Sequence, residues 1–173
     1  LLLLVRAGIA GAESRRTSER VKAASFKAAA KGRHMSRPPF GYRQVKDGDT
    51  VRWEQEPQEA EAIRLAYRLS VEENKGYMAI ANELNRLGYR GKAAFGSKPF
   101  SPATLVFILK NPNLRGALVY GRTQKAGTQA EVVTVEGVFP AILSMEEWEH
   151  LQERLAIRSE HRRGRTHISS FLL

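Results

Sequence analysis

Few residues of this sequence are spaced for bond-making chemistry. There is no Gly-x-Ser-x-Gly elbow to expose a nucleophilic serine. Gly88, Gly91 and Gly96 are too dispersed for a phosphate loop and precede no Lys-Ser/Thr pair. His34, His150, His161 and His167 show no metal-ligand spacing with nearby acids. The absence of cysteine removes disulfides and thiolate-zinc sites. Glu72 and Glu73 are adjacent, so on a helix they point in different directions instead of flanking a substrate. No catalytic residue, no metal and no cofactor are therefore expected in this chain. What the sequence does hold is cationic chemistry. It carries 28 Lys+Arg against 18 Asp+Glu in 173 residues, a net charge of +10, which points to a polyanionic partner, most often nucleic acid.

That charge is unevenly placed. Residues 1–46 carry a net +9 and residues 86–130 a net +8 with no acid at all, whereas residues 47–85 and 131–155 each carry −5. Segregation of this kind steers a chain toward phosphate better than uniform charge does. The longest apolar run, Leu1–Val5, stops at Arg6 and is too short for a membrane span or a signal core. A non-membrane, cytoplasmic protein of one or two small domains is expected. At 42% hydrophobic and 27% charged residues the composition is that of a globular protein.

The elements that would position these cations follow from local signals. Val5–Lys31 is free of proline and rich in alanine, and predicts a long helix ended by Gly32. Residues 33–43, with Pro38-Pro39, predict an extended basic linker. Asp47-Gly48 between short apolar runs predicts a β-hairpin over Phe40–Trp53. Pro57 opens a helix with Ala60, Ile63, Tyr67 and Val71 on its apolar face, ending near Lys75-Gly76. A second helix is predicted from Tyr77 to Leu87, stopped by Gly88. Ser101-Pro102 caps a third, which Pro112 ends. Leu114–Gly121 and Glu131–Val138 predict strands, and Ser144 with Glu147 forms a capping box for a last helix to about Ile157. Residues 158–173 read as a basic, flexible tail.

The helices at 77–87 and 101–110 resemble a helix-turn-helix, although the connection of about 13 residues is longer than the usual 3–4. If the second enters a major groove, Ser101, Ala103 and Thr104 reach the bases or phosphates first, flanked by Lys98 and Lys110. Arg115, Tyr120, Arg122 and Lys125 on the following hairpin would act as a wing against the backbone.

The order of these motifs resembles the DNA-binding domain of large serine recombinases, in the resolvase/invertase superfamily. The matching pieces are Ser18-Glu19-Arg20-Val21-Lys22, Ala28–Gly32, Arg37-Pro38-Pro39-Phe40-Gly41-Tyr42, Glu59-Ala60 with Ile63-Arg64, and Ile80–Asn85 with Gly88. Ser101–Leu109, Asn111-Pro112, Gly116, Tyr120-Gly121, Pro140–Ile142 and Glu147-Trp148 continue the series. Phe100 stands where the family commonly has tryptophan.

The resemblance implies an α+β, mostly helical fold: a long N-terminal helix followed by a helix-turn-helix-like DNA-binding domain with small β-hairpins. It implies four parts, at residues 1–32 (dimer-forming helix), 33–43 (linker), 44–157 (DNA-binding domain) and 158–173 (tail). Arg15, Arg20, Lys27 and Lys31 would lie over the DNA backbone, Arg33 and Arg37 in the minor groove, and Arg43 would extend the basic series. The catalytic serine of the family lies in a domain preceding the long helix, so this chain is expected to be the DNA-binding fragment of a site-specific recombinase. Its partner would be a double-stranded attachment or resolution site. Homodimers would form through the long helix, and a tetramer in the full-length synaptic complex. The alternatives are a winged-helix transcriptional regulator, in which the long helix only dimerises, and a basic RNA-binding protein, with Tyr89, Phe95 and Phe100 placed for stacking.

Overall fold

The computed structural model describes residues 2–33, 37–48, 50–92, 96–121 and 132–163. The fold is α+β and mostly helical, with five α-helices and two separate two-stranded antiparallel sheets among the described residues.

Helix α1 (Leu2–Ala30) is 29 residues long, roughly 43 Å at about 1.5 Å per residue. Its last turn closes in a Schellman motif. Gly32, at φ +71°, donates to the Ala29 carbonyl and Arg33 donates to that of Ala28. Among the side chains of α1 that are described, those at its C-terminal end are packed. Ala29 is buried, and Phe26 meets Tyr120 edge-on at 6.5 Å. Residues 16–24 are exposed on every side, including Val21.

Strands β1 (Tyr42–Asp47) and β2 (Thr50–Gln55) pair in the register Tyr42↔Gln55 to Asp47↔Thr50, with Gly48 at φ +59° in the turn. Helix α2 (Pro57–Val71) buries Ala60, Ala62, Ile63, Ala66 and Leu69. It stops four residues before the expected Lys75, because Asn74 adopts the left-handed conformation (φ +52°) and Lys75 donates back to the Leu69 carbonyl. Helix α3 (Tyr77–Arg86) contributes Ile80, Ala81 and Leu84, α4 (Pro102–Leu109) Leu105 and Leu109, and α5 (Met145–Arg163) Leu151 and Leu155. Together with Tyr42, Leu114, Phe139 and Leu143 they make one core.

Two further expectations are corrected. The strand predicted over Leu114–Gly121 begins as a 3-10 turn, Pro112–Arg115, and becomes strand only at β3 (Leu118–Tyr120), paired with β4 (Val133–Val135). Asn111 accepts the Asn113 N–H, Pro112 starts the turn, and Gly116 leaves it at φ +95°. The Leu114 carbonyl then takes the N–H groups of Ile142 and Leu143, and that of Gly116 takes those of Val138 and Phe139. The backbone is thus satisfied by a crossing loop and needs no ladder.

The tail beginning at Arg158 is helical as far as Arg163. The Arg158 guanidinium donates to the hydroxyl and the carbonyl of buried Ser70, at 2.9 and 2.7 Å, and to Asn74 Oδ1 at 2.9 Å. Burial lowers its pKa from the ordinary arginine value. The capping box of α5 forms as read, with Ser144 N–H donating to Glu147 Oε2 and Glu147 N–H to Ser144 Oγ.

Tyr42 is the largest fully buried side chain among the described residues, and its hydroxyl donates to the Asn113 carbonyl at 2.6 Å. Desolvation raises its pKa well above that of free tyrosine. The unfolded chain therefore releases the phenolic proton first, so this contribution is complete below about pH 10 and is lost as pH rises toward the folded value. Wild type is expected to lose chemical-denaturation stability above about pH 10 more steeply than Tyr42→Phe. Parallel pH curves for the two proteins would refute this.

Candidate nucleic-acid interface

The α3–α4 pair is held by side-chain clamps that periodicity cannot show. Helix α3 ends in a second Schellman motif, with Gly88 at φ +87° and Tyr89 donating to the Leu84 carbonyl. The Asn85 amide bonds both ways with Phe100, donating to its carbonyl at 2.9 Å and accepting its N–H at 2.8 Å. The residue before α4 is thereby fixed to the end of α3. The Phe100 ring is buried and meets Phe40 edge-on at 5.5 Å, so the linker motif packs against the entrance of α4. Ser101 Oγ accepts the Thr104 N–H at 3.2 Å and lies 2.9 Å from Thr104 Oγ1. At the other end of the helix, Gln152 donates to the Leu109 carbonyl. Asn85→Ala leaves two backbone groups unsatisfied and is expected to cost about 2–3 kcal/mol, read by urea denaturation. A loss under about 0.5 kcal/mol would show that the clamp is dispensable.

With Leu105 and Leu109 buried, α4 turns Ala103, Thr104, Phe107 and Lys110 outward. Lys98 and Ser101 are also exposed. The structure brings these predicted residues together on and beside one helix. Arg20, Lys27 and Lys31 are exposed along α1 and just past its end. Arg15 also lies on α1. Arg33 follows the α1 cap and Arg37 precedes the turn closed by the Tyr42 N–H on the Pro39 carbonyl, both exposed. Arg43 pairs across the β1–β2 ladder with Glu54 at 3.0 Å, an exposed pair of the kind worth about 0–1 kcal/mol. Arg122 and Lys125 lie outside the described residues.

Arg115 is not on a wing. It ends the 3-10 turn, its side chain is 15% exposed, and its guanidinium bonds Glu136 at 3.0 Å and lies 5.1 Å above the Trp148 ring. The turn that replaced the expected strand aims it inward. Other basic residues of the acid-free segment have partners at the surface. Arg86 pairs with Glu83, and Arg90 donates to the carbonyls of Asn85 and Tyr89.

Lys92 was not singled out from the sequence, yet it makes a central contact. Its ammonium reaches Glu59 Oε2 at 2.8 Å and the carbonyls of Tyr42 at 2.6 Å and Pro39 at 3.2 Å. Glu59 Oε2 also accepts the Gly41 N–H at 2.8 Å. Both side chains are nearly buried, at 12% and 13% exposed. The pair ties the end of the linker to α2 and to the segment leading to α4. No local signal marks a pairing across 33 residues.

The family model described as Recombinase matches residues 57–158 of the chain. The fold is similar to a solved chain described as "Crystal Structure of a LSR-DNA Complex", with a TM-score of 0.59 and 21% identity over 81% of this chain and 38% of that one. It is also similar to one described under "Sequence Requirements of the Listeria innocua prophage attP site", with a TM-score of 0.59 and 22% identity over 79% of this chain and 51% of that one. This chain therefore spans 38% and 51% of the lengths of those two proteins. No curated protein matches it by sequence. Among the described residues, no helix is long and apolar enough to cross a membrane.

Proposed function

The chain belongs to the Recombinase family, and from that premise we propose that it binds double-stranded DNA as the DNA-binding part of a site-specific serine recombinase. The observation that carries this reading is the outward face of α4, clamped at both ends and set within a segment that has no acid from residue 86 to 130. A rigid helix with an exposed face and cations beside it suits a major groove. The similarity in fold to an LSR–DNA complex supports the same reading. Nothing found favours the winged-helix regulator.

In this reading residues 44–157 bind the duplex, Arg33 and Arg37 enter the minor groove, and Arg15, Arg20, Lys27 and Lys31 follow the backbone. The exposed middle of α1, with Val21, Ala23 and Ala24, would pack on a second copy to form a homodimer. A tetramer would assemble in the full-length recombinase at an attachment or resolution site. Strand cleavage by a serine would reside outside these residues.

Fluorescence anisotropy against duplex DNA and single-stranded RNA of equal length tests the function. Duplex is expected to bind more tightly, and its log Kd to rise linearly with log salt as phosphates are neutralised. Equal binding of the two, or tighter binding of RNA, would favour the RNA-binding alternative.

A further inference from the structure

The outward residues of α4 have a distinctive chemistry. Ala103 and Phe107 are one turn apart, and Thr104, Phe107 and Lys110 follow at three-residue steps, so all four share a face. Phe107 is 77% exposed, the most exposed of the large apolar side chains among the described residues and the one aromatic in that group. The hydroxyls of Ser101 and Thr104 lie 2.9 Å apart, and Ser101 also caps the helix, so both already have partners within the protein. No outward position from 103 to 110 carries Arg, Asn or Gln. Arg, Asn and Gln read guanine or adenine by paired hydrogen bonds, as Lys also does with guanine, and the one outward lysine, Lys110, stands at the very end of the helix. What a major groove still offers such a face is the C5-methyl group of thymine, which is recognised by apolar contact from Ala, the Thr methyl or Phe. The surroundings favour DNA as the occupant over an apolar protein surface. Exposed Lys98 precedes the helix, exposed Lys110 ends it, and no acid lies anywhere in the segment.

We propose that Phe107, with Ala103 beside it, reads thymine methyl groups in the major groove, making α4 a thymine-selective element. The inference rests on the DNA-binding reading and adds the residue and the feature that it recognises.

The test uses the 173-residue chain and duplexes that it selects from a random-sequence pool. Each selected duplex is resynthesised with uracil in place of thymine, one position at a time, which removes only the methyl group. At one or more positions this is expected to weaken wild-type binding about fourfold, the value of one buried methyl-sized group. Phe107→Ala should bind thymine and uracil duplexes alike at those positions, and Phe107→Leu should keep part of the discrimination. Because the ring is exposed, thermal unfolding of both variants should match wild type. Unchanged thymine-over-uracil preference in Phe107→Ala would overturn the inference while leaving DNA binding intact, as would the absence of any position sensitive to uracil. Unchanged duplex affinity in Phe107→Ala together with weakened self-association would assign the ring to a protein contact instead. If no duplex is enriched over single strands, the DNA-binding reading itself fails.

Discussion

Lys92→Met is expected to lower folding stability by about 3–5 kcal/mol, the usual cost of removing one partner of a buried ion pair. Methionine matches the length and apolar stem of lysine, so the loss is largely electrostatic. Without the ammonium, the nearly buried Glu59 carboxylate keeps only the Gly41 N–H, and the Pro39 and Tyr42 carbonyls lose this donor. Glu59→Gln should also destabilise the fold, by leaving Lys92 without its counter-charge. The double variant Lys92→Met/Glu59→Gln should recover part of the loss, since no uncompensated charge then remains buried. Urea denaturation of the four proteins closes the cycle. A coupling under about 0.5 kcal/mol would show that the two charges act independently. A functional consequence accompanies the thermodynamic one. The contact holds the end of the linker against the segment leading to α4, so its loss should also weaken duplex binding in conditions where the variant is still folded.

Gly41→Ala is expected to cost about 2–5 kcal/mol, from two independent causes. Gly41 sits at φ +96°, where an L side chain costs about 1–2 kcal/mol. An added Cβ would also lie 2.6 Å from both Ile63 Cδ1 and Ile142 Cδ1, two buried side chains of the core, and overpacking of this kind costs about 1–3 kcal/mol. Gly48 supplies the control. It too has a positive φ, +59°, but nothing lies within 4 Å of its would-be Cβ. Gly48→Ala should therefore lose only the backbone part, about 1 kcal/mol. The difference between the two variants isolates the packing cost, and Ile63→Val in the Gly41→Ala background should relieve some of it. Equal losses at the two glycines would place the whole effect in the backbone.

Both sites lie at the junction of the Arg37–Tyr42 segment with the rest of the fold, and they differ in how far the sequence announces them. The Arg37-Pro38-Pro39-Phe40-Gly41-Tyr42 motif is visible as a pattern. That Gly41 must be glycine follows only once Ile63 and Ile142 are seen to close over it, from 22 and 101 residues away. The Asn85 clamp spans 15 residues and the Arg158 anchor 88.

The chain by itself determined what depends on near neighbours. The Gly32 cap, the Asp47-Gly48 turn, the Ser101-Pro102 helix start and the Ser144–Glu147 box each form within about five residues, where backbone geometry and one side chain settle the outcome. The order of those signals was also enough to suggest the family. Tertiary structure decided what depends on distant partners. It turned the start of the expected strand at 114–121 into a 3-10 turn through hydrogen bonds to 138–143, and extended the last helix past Arg158 by anchoring that residue on Ser70. It also decided the fate of the charge. A net +8 over residues 86–130 is legible in the sequence, but its availability is not. Lys92 and Arg115 are drawn into the fold by Glu59 and by Glu136 with Trp148, while Lys98 and Lys110 stay exposed beside α4. The physical reason is that a cation's charge belongs to the residue, whereas its freedom to meet phosphate depends on which acids, carbonyls and rings the fold brings within a few ångströms.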